Sequence, residues 1–323
     1  MKTLRYIWCL AGFTVLVVFN PAHGQVWPAA KPISMVVPAG AGGVTDGVAR
    51  VIAQWLTERL GQSVVVDNRA GAGGMLGVTL ASKAKPDGYT LMIGTNTTMA
   101  ANVHLFKNHP VDPLKDFVPL ALLVDTPFVL LVPANSPYKR VGDLVAAAKA
   151  APGKLNYGSG TSSALLCSEL LKSIAGIDLV KVPYKASPQA LTDLMGGQID
   201  VLCEPLASSQ GNMSTGRVRA LALTGATRSG LAPDLETVTE AGFPGMDYGA
   251  WIGFWAPAGL PKEIQTRLSN EILASLKDPE VLKKIRGLGS DPRPTGPDAF
   301  AALQRAEMTK VGAVVKAANI AAE

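Results

Sequence analysis

The sequence predicts an α/β protein of two similar lobes, each a mixed sheet flanked by helices, with a ligand cleft between them. Three observations carry this expectation. Strand-like and helix-like segments alternate along most of the chain, the pattern that buries largely parallel sheets under helices. Turn signals rich in glycine and proline separate these segments, with no low-complexity tract and no solenoid period. The 323 residues exceed one ordinary domain at about 100–200 residues each, so two are expected.

Taken in order, the first block opens with a strand at Ile33–Val37 and a helix near Asp46–Leu60. A strand at Ser63–Asp67 and a helix near Leu76–Ala84 follow, the latter stopped by the turn signal Pro86-Asp87-Gly88. Tyr89–Gly94 is the next strand. An irregular stretch with Pro110 and Pro113 leads to a strand at Val118–Val124.

The second block repeats the logic. Phe128–Val132 reads as a strand, and Val141–Ala150 as a helix broken by Pro152-Gly153. Strands at Leu155–Gly158, Leu179–Val182, Asp200–Cys203 and Arg219–Thr224 alternate with helices near Ser163–Ala175, Pro188–Gly196 and Leu206–Thr215. Beyond a loop broken by Pro233, Gly242, Pro244 and Gly245 comes a strand at Tyr248–Trp255. Helices follow at Lys262–Leu276, Pro279–Leu288 and Gly296–Ala318. Asp278-Pro279 and Pro297 are helix-start signals. If the final helices pack back on the first block, lobe 1 comprises residues 25–125 and 248–323, and lobe 2 residues 126–247. The chain then crosses between lobes near Val124–Pro127 and near Asp247–Gly249. Paired crossings of this kind make a hinge, and ligand sites commonly lie at such interfaces. Trp251 and Trp255 are candidates to line or flank the cleft, with core packing favoured for Trp255.

The N-terminus reads as a secretory signal. Lys2 and Arg5 form a basic n-region, Ile7 to Val18 an apolar core, and Ala22-His23-Gly24 a small-x-small cleavage site. Residues 1–24 are therefore expected to be removed after Gly24, leaving a periplasmic chain that starts at Gln25. The apolar stretch is too short for a membrane span, which needs about 20 residues. Loss of Lys2 and Arg5 lowers the net charge from +5 to +3, too weakly basic for a nucleic-acid protein. A hydrophobic content of 48% with 17% charged residues excludes a disordered chain. Cys167 and Cys203 are read as two small buried apolar residues, although an oxidising compartment permits a bridge. The absence of a Cys-x-x-Cys spacing argues against a zinc or redox site.

Two glycine-rich loops carry the chemistry. The first is Pro38-Ala39-Gly40-Ala41-Gly42-Gly43-Val44-Thr45-Asp46, and the second Arg69-Ala70-Gly71-Ala72-Gly73-Gly74. Glycine lets a backbone approach a ligand and turn N–H groups toward it. A helix that starts just afterwards adds orphan donors and partial positive charge, so the pair suits an anion. Neither loop has the lysine of a phosphate-binding P-loop. Leu76 stands where a dinucleotide fingerprint beginning at Gly71 would need glycine. A small carboxylate is the expected anion. Thr45 and Asp46 serve equally well as caps of the following helix. Arg69 is a candidate carboxylate clamp or a surface residue near a turn. Thr95 and Thr97, in Thr95-Asn96-Thr97-Thr98, sit at a strand's carboxyl end, where open α/β sheets bind ligands, or else shape a turn.

Lobe 2 offers Ser159, Gly160, Thr161, Ser162 and Ser163 ahead of a helix, a second donor-rich nest. This is not the nucleophile elbow of hydrolases, because Tyr157 occupies the place of its first glycine. Tyr184 follows one strand and Glu204 another. Glu204 suits a ligand ammonium, a hydroxyl or a bridging water. His104 and His109, the histidines left after processing, flank a proline-containing loop and are read as solvated. No zinc-type histidine cluster or serine–histidine–aspartate order is apparent.

The chain resembles the extracytoplasmic solute-binding proteins of tripartite tricarboxylate transporters, the Bug-type family. The matching stretches run in order. They are Lys31-Pro32-Ile33 with Val37-Pro38 and Gly42-Gly43-x-Thr45-Asp46, then Asp67-Asn68-Arg69-x-Gly71-Ala72-Gly73-Gly74, then Pro86-Asp87-Gly88-Tyr89-Thr90-Leu91. Pro152 to Ser159, Val182-Pro183-Tyr184-Lys185, Leu191 to Asp200, Arg219-Ala220-Leu221-Ala222 and Ala256-Pro257-Ala258-Gly259 continue the series. The resemblance implies a type II-like periplasmic binding fold that closes on a carboxylate. Pro38–Gly43 would hold the carboxylate, and Gly158–Ser163 and Glu204 would reach it from lobe 2. It also implies a non-enzymatic role with membrane permease subunits as partners, no cofactor, no metal and a monomeric state. Two departures stand out: the Gly158–Ser163 loop is shorter than usual, with Ala164 or Leu165 where histidine is common, and Glu204 replaces a common aspartate. The alternatives are a ligand sensor that docks on a signalling receptor and an exported small-ester hydrolase.

Overall fold

A computed structural model describes residues 27–322. The expected signal segment and its cleavage site lie outside the described residues. In chain order the first elements are β1 (Ile33–Val37), α1 (Val44–Leu60), β2 (Val64–Asn68), α2 (Met75–Ser82), β3 (Thr90–Thr95) and α3 (Asn102–Leu105). They are followed by β4 (Phe117–Pro133), α4 (Val141–Ala150), β5 (Asn156–Ser159), α5 (Ser162–Ala175), β6 (Val180–Pro183) and α6 (Ser187–Met195). Then come β7 (Val201–Pro205), α7 (Leu206–Ser214), β8 (Val218–Leu223), β9 (Gly249–Pro257), α8 (Lys262–Ser275), α9 (Pro279–Gly287), β10 (Asp291–Thr295) and α10 (Pro297–Ala317).

The strands line up as β2-β1-β3-β9-β4-β7-β5-β6, with β10 and β8 also paired to β4. β1 runs parallel to β2 and β3, and β5 parallel to β6 and β7, while β9 and β4 are antiparallel to their neighbours. These mixed sheets with helices on their faces agree with the predicted class. No described helix is long and apolar enough to cross a membrane.

The two separate strands expected at Val118–Val124 and Phe128–Val132 are one strand of 17 residues. Its first part pairs with β9 as far as Pro127 opposite Gly249, and from Phe128 onward it pairs with β7. Pro127 donates no ladder hydrogen bond, but it falls where the strand changes partners and so does not end it. β10 was not expected either. Its Asp291-Pro292-Arg293-Pro294-Thr295 carries two prolines, which an edge strand tolerates.

One apolar core gathers Ile33, Met35, Ile52, Leu56 and Ile93 with Phe254, Leu268, Ile272 and Ile285, so α8 and α9 cover the β1–β3 sheet. A second gathers Leu130, Val132, Tyr157, Leu170 and Leu171 between β4, β5 and α5. α10 reaches both sides. Phe300, near its start, stacks against Trp255 and Trp251 with ring centroids 4.8 and 5.5 Å apart. Val311 and Val314, near its end, pack into the second core. Gln304 fixes the register between them, accepting from Trp255 Nε1 at 3.1 Å and donating to Met99 O at 2.9 Å.

Candidate functional site

The carboxyl ends of β1, β2 and β3 bring three stretches of lobe 1 together. Pro38 leaves β1 buried, and the chain then emerges to Gly40, Ala41, Gly42 and Gly43, all exposed. A methyl group added at Gly40, Gly42 or Gly43 would meet nothing within 4 Å, so open space lies before this backbone. Gly43 is the N-cap of α1 and supplies no side-chain cap, leaving the first N–H groups of a 17-residue helix without a side-chain acceptor. Thr45 sits half-buried in the first turn.

Asp46 braces the loop. Its carboxylate, 3% exposed, accepts from Gly42 N at 2.9 Å, Arg50 Nε at 3.0 Å and Asn68 Nδ2 at 2.9 Å. The Arg50 guanidinium, helped by the Gly42 and Asn68 donors, holds its pKa down to about 2 against the cost of burial. A carboxyl whose pKa falls on folding stabilises the protein above its unfolded pKa and loses that contribution as pH drops through the folded value. Asp46→Asn is therefore expected to cost roughly 2 kcal/mol at pH 7, a difference that shrinks from pH 4 to pH 2. Urea unfolding of both proteins across that range checks it. A pH-independent gap would show that the carboxylate charge is not what stabilises the loop.

The other stretches of lobe 1 shape the site by packing. Ala39 O accepts from Asn68 Nδ2 at 3.2 Å, tying the first loop to β2. Gly74, with φ +93°, lies where a Cβ would come within 2.9 Å of Pro38 O and 2.7 Å of Thr98 Cγ2. Gly73, with φ +63°, packs against Phe106. Arg69 donates its backbone N–H to Val37 O at 2.8 Å, while its side chain pairs with Asp67 at 2.8 Å and remains half exposed. Thr95 Oγ1 accepts from Thr98 N at 3.4 Å. The expected loop after Thr95 is instead a helical turn through Thr97–Ala101 that runs into α3. Threonine hydroxyls bonding back to their own backbone close this turn.

Lobe 2 contributes the carboxyl ends of β5, β6 and β7. Ser159 O accepts from Tyr184 N at 2.9 Å, and Gly160 packs so tightly on Ala186 and Ser187 that a Cβ would not fit. Thr161 caps α5 by accepting from Ala164 N at 3.1 Å, and Ser162 begins the helix exposed. Tyr184 turns its hydroxyl to Asp193 at 2.8 Å, along α6. Glu204, 3% exposed, accepts from Ser187 Oγ at 2.6 Å. Burial pushes its carboxyl above the ordinary range, and the Ser187 hydrogen bond opposes this only in part.

The two walls meet where Thr97 Oγ1 lies 3.2 Å from Ser163 Oγ. Beside them is a residue that the sequence reading passed over. Asn96 is buried and donates Nδ2 to Gly249 O at 3.0 Å, while its Oδ1 finds no partner. Its place within the Thr95–Thr98 string was the available signal.

Two remaining expectations change, and the core packing favoured for Trp255 holds. Cys167 and Cys203 form a disulfide, with Cα atoms 6.3 Å apart. It ties α5 to β7, a long-range approach that spacing alone does not reveal. The histidines are packed rather than solvated. His104 Nε2 lies 2.9 Å from Met308 O, and His109 Nδ1 2.6 Å from Val111 O. Trp255 is in the core, and Trp251 lines a cavity of about 570 Å³ at the β4–β9 crossing, apart from the glycine loops. Asp125, on the same cavity, is pushed up to about 6 by burial although Arg293 pulls it down. No group of three or more metal-ligating side chains occurs among the described residues.

The carboxyl end of β3 and the start of α5 approach each other at Thr97 and Ser163, on either side of the strand β4 that the two sets of strands share, an arrangement that suits a solute-binding receptor of the periplasmic binding class. Within that class, the chain belongs to the tripartite tricarboxylate transporter receptor family, whose pattern it matches over residues 48–320. A Pseudomonas sp. (strain P51) protein described as a UPF0065 protein in the tcbD-tcbE intergenic region is 36% identical over 303 residues, covering 92% of this chain and 90% of its own. The structure titled R. palustris Rpa4515 with adipate is 35% identical with a TM-score of 0.76, covering 92% of this chain and 100% of its own. MatC from Rhodopseudomonas palustris with bound malate is 33% identical with a TM-score of 0.71, covering 89% and 99%.

Proposed function

We propose that this protein captures a small carboxylate in the periplasm and hands it to the membrane subunits of a tripartite tricarboxylate-type transporter. Lobe 1 (25–125 and 248–323) holds the carboxylate on the Pro38–Gly43 backbone and the start of α1. Lobe 2 (126–247) closes over it with the Ser159–Ser163 and Glu204 wall. The observation that carries the reading is the open space before Gly40, Gly42 and Gly43 at an uncapped helix start. The adipate and malate of the two solved relatives are carboxylates, in keeping with it. The protein acts without catalysis. Ligand drives closure by its differential affinity for the closed state, and the closed shape is what the transporter reads.

A thermal-unfolding screen tests the reading. The chain without residues 1–24 is denatured, refolded free of bound ligand, and mixed with mono-, di- and tricarboxylates, amino acids and aromatic acids. A true ligand at a hundred times its Kd should stabilise by about 2.7 kcal/mol and be recovered unchanged. Recovery of a hydrolysed product, or no stabilisation by any carboxylate, would sink the proposal.

A further inference from the structure

The cavity of about 570 Å³ at the β4–β9 crossing has walls from both sets of strands. The loop at 225–230 follows β8, which pairs with the Val129–Pro133 part of β4. β10 pairs with the Leu122–Asp125 part. Ser229, itself buried, joins the two walls. Its hydroxyl accepts from Leu231 N at 3.0 Å and donates to the Asp291 carboxylate. The turn ahead of Asp291 is wedged in the same junction. Ser290 Oγ lies 3.2 Å from Thr126 Oγ1 on the crossing strand. Gly289 touches α7 so closely that a Cβ there would come within 2.2 Å of Ala207 Cβ. Separating the lobes would break the Ser229 bond and lift Ala207 off Gly289.

The charges around this junction work against it. Asp125 stands directly opposite Asp291 in the β4–β10 ladder, and like charges so placed repel. Asp247, at the second crossing, adds a third carboxylate that acts on Asp125, with its Oδ1 3.2 Å from Ala226 N. Arg293 bonds both Asp125 oxygens at 3.1 Å. The other cations on the cavity do not reach Asp125 or Asp291. Lys310 is taken up by Glu307 at 2.7 Å and Asp247 O at 2.6 Å, and Arg228 by Glu240. Arg286, on α9, has no ion-pair partner among the described residues.

Burial raises the Asp125 carboxyl to about 6 despite Arg293, and Asp247 and Asp291 add to the rise. The 225–230 loop is the facing wall, so parting the lobes would return water to Asp125 and lower that value. A group whose pKa is higher in one state favours that state as it takes up a proton. The closed arrangement therefore gains as pH falls through about 6 and loses that advantage as pH rises above it.

Building on the lobe closure proposed above, we propose that Ser229, Asp291 and Asp125 form a latch between the lobes that tightens in mild acid and loosens at neutral pH, so that acid favours the ligand-holding form.

Distances between spin labels test this on refolded, ligand-free protein lacking residues 1–24, so the result is separate from that of the carboxylate screen. The labels sit on Lys85→Cys in lobe 1 and Lys149→Cys in lobe 2, both exposed positions. Pulsed electron resonance at pH 5 and pH 8 reads the closed and open populations. The closed-to-open ratio should fall several-fold between them, up to about tenfold if Asp125 returns to its ordinary 3.8 on opening. Asp125→Asn should keep the pH 5 distribution at both values, and Ser229→Ala should enlarge the open population at both. A distribution that is the same at pH 5 and pH 8, or more open at pH 5, overturns the latch, as does a pH response that survives Asp125→Asn. The comparison with unmodified Asp125 and Ser229 stands even if a variant misfolds. Adipate and malate are added in parallel. Lobes that draw together with either one but not with acid overturn the latch and leave closure intact.

Discussion

Breaking the Cys167–Cys203 disulfide is expected to lower folding stability by about 3–4 kcal/mol, the chain-entropy estimate for a separation of 36 residues. The bridge does more than shorten the unfolded chain. It joins α5, capped by Thr161, to β7, the two elements of the wall proposed for lobe 2. Both cysteines are fully buried, so reduction or a Cys167→Ala/Cys203→Ala pair also loosens close packing around Leu170 and Tyr157. Urea denaturation of the oxidised and double-alanine proteins reads the stability change. Ligand affinity read in parallel should fall, because the wall loses its brace. A stability difference under about 1 kcal/mol would mean that the surrounding core holds α5 and β7 together without the bond.

Gly74→Ala is expected to destabilise by about 3 kcal/mol and to abolish high-affinity carboxylate binding. Two independent penalties add. A φ of +93° costs an L-residue about 1–2 kcal/mol, and a methyl group forced into occupied space adds about 1–3 kcal/mol. The occupied space is Pro38 O and Thr98 Cγ2, so relief of the clash pushes apart the loops that end β1 and β3. The Gly40–Gly43 backbone would then no longer converge on one point. By contrast, Gly40→Ala has room for its methyl in the empty protein and should leave stability within about 0.5 kcal/mol while still weakening ligand affinity. Thermal melts and titrations on the pair separate the roles. Equal stability losses at both positions would show that loop 1 is packed as tightly as loop 2.

Much of this molecule could be read along the chain because the deciding interactions are local. The strand at Ile33–Val37 and the helices at Val141–Ala150 and Pro279–Gly287 follow from periodic burial and from the residues that start and stop them. The glycines of Gly40–Gly43 stand out in the sequence because backbone freedom is a property of the residue itself, and they lie exposed at the start of α1.

What the fold alone decided are encounters between distant residues. β4 remains one strand across Pro127 because β9 on one side and β7 on the other supply partners that no local propensity encodes. The proline-bearing β10 forms because it has β4 to pair with. Tyr184 is turned away to Asp193, Asp46 is turned inward to Gly42, Arg50 and Asn68, and Cys167 is brought to Cys203. The sequence by itself determined the class of fold, the order of most of its elements and the chemical leaning toward a carboxylate, since these rest on short-range geometry and residue type. The tertiary structure decided which side chains remain free at the seam and which are consumed in holding it together, because a hydrogen-bonding group can be counted free only after its neighbours in space are known.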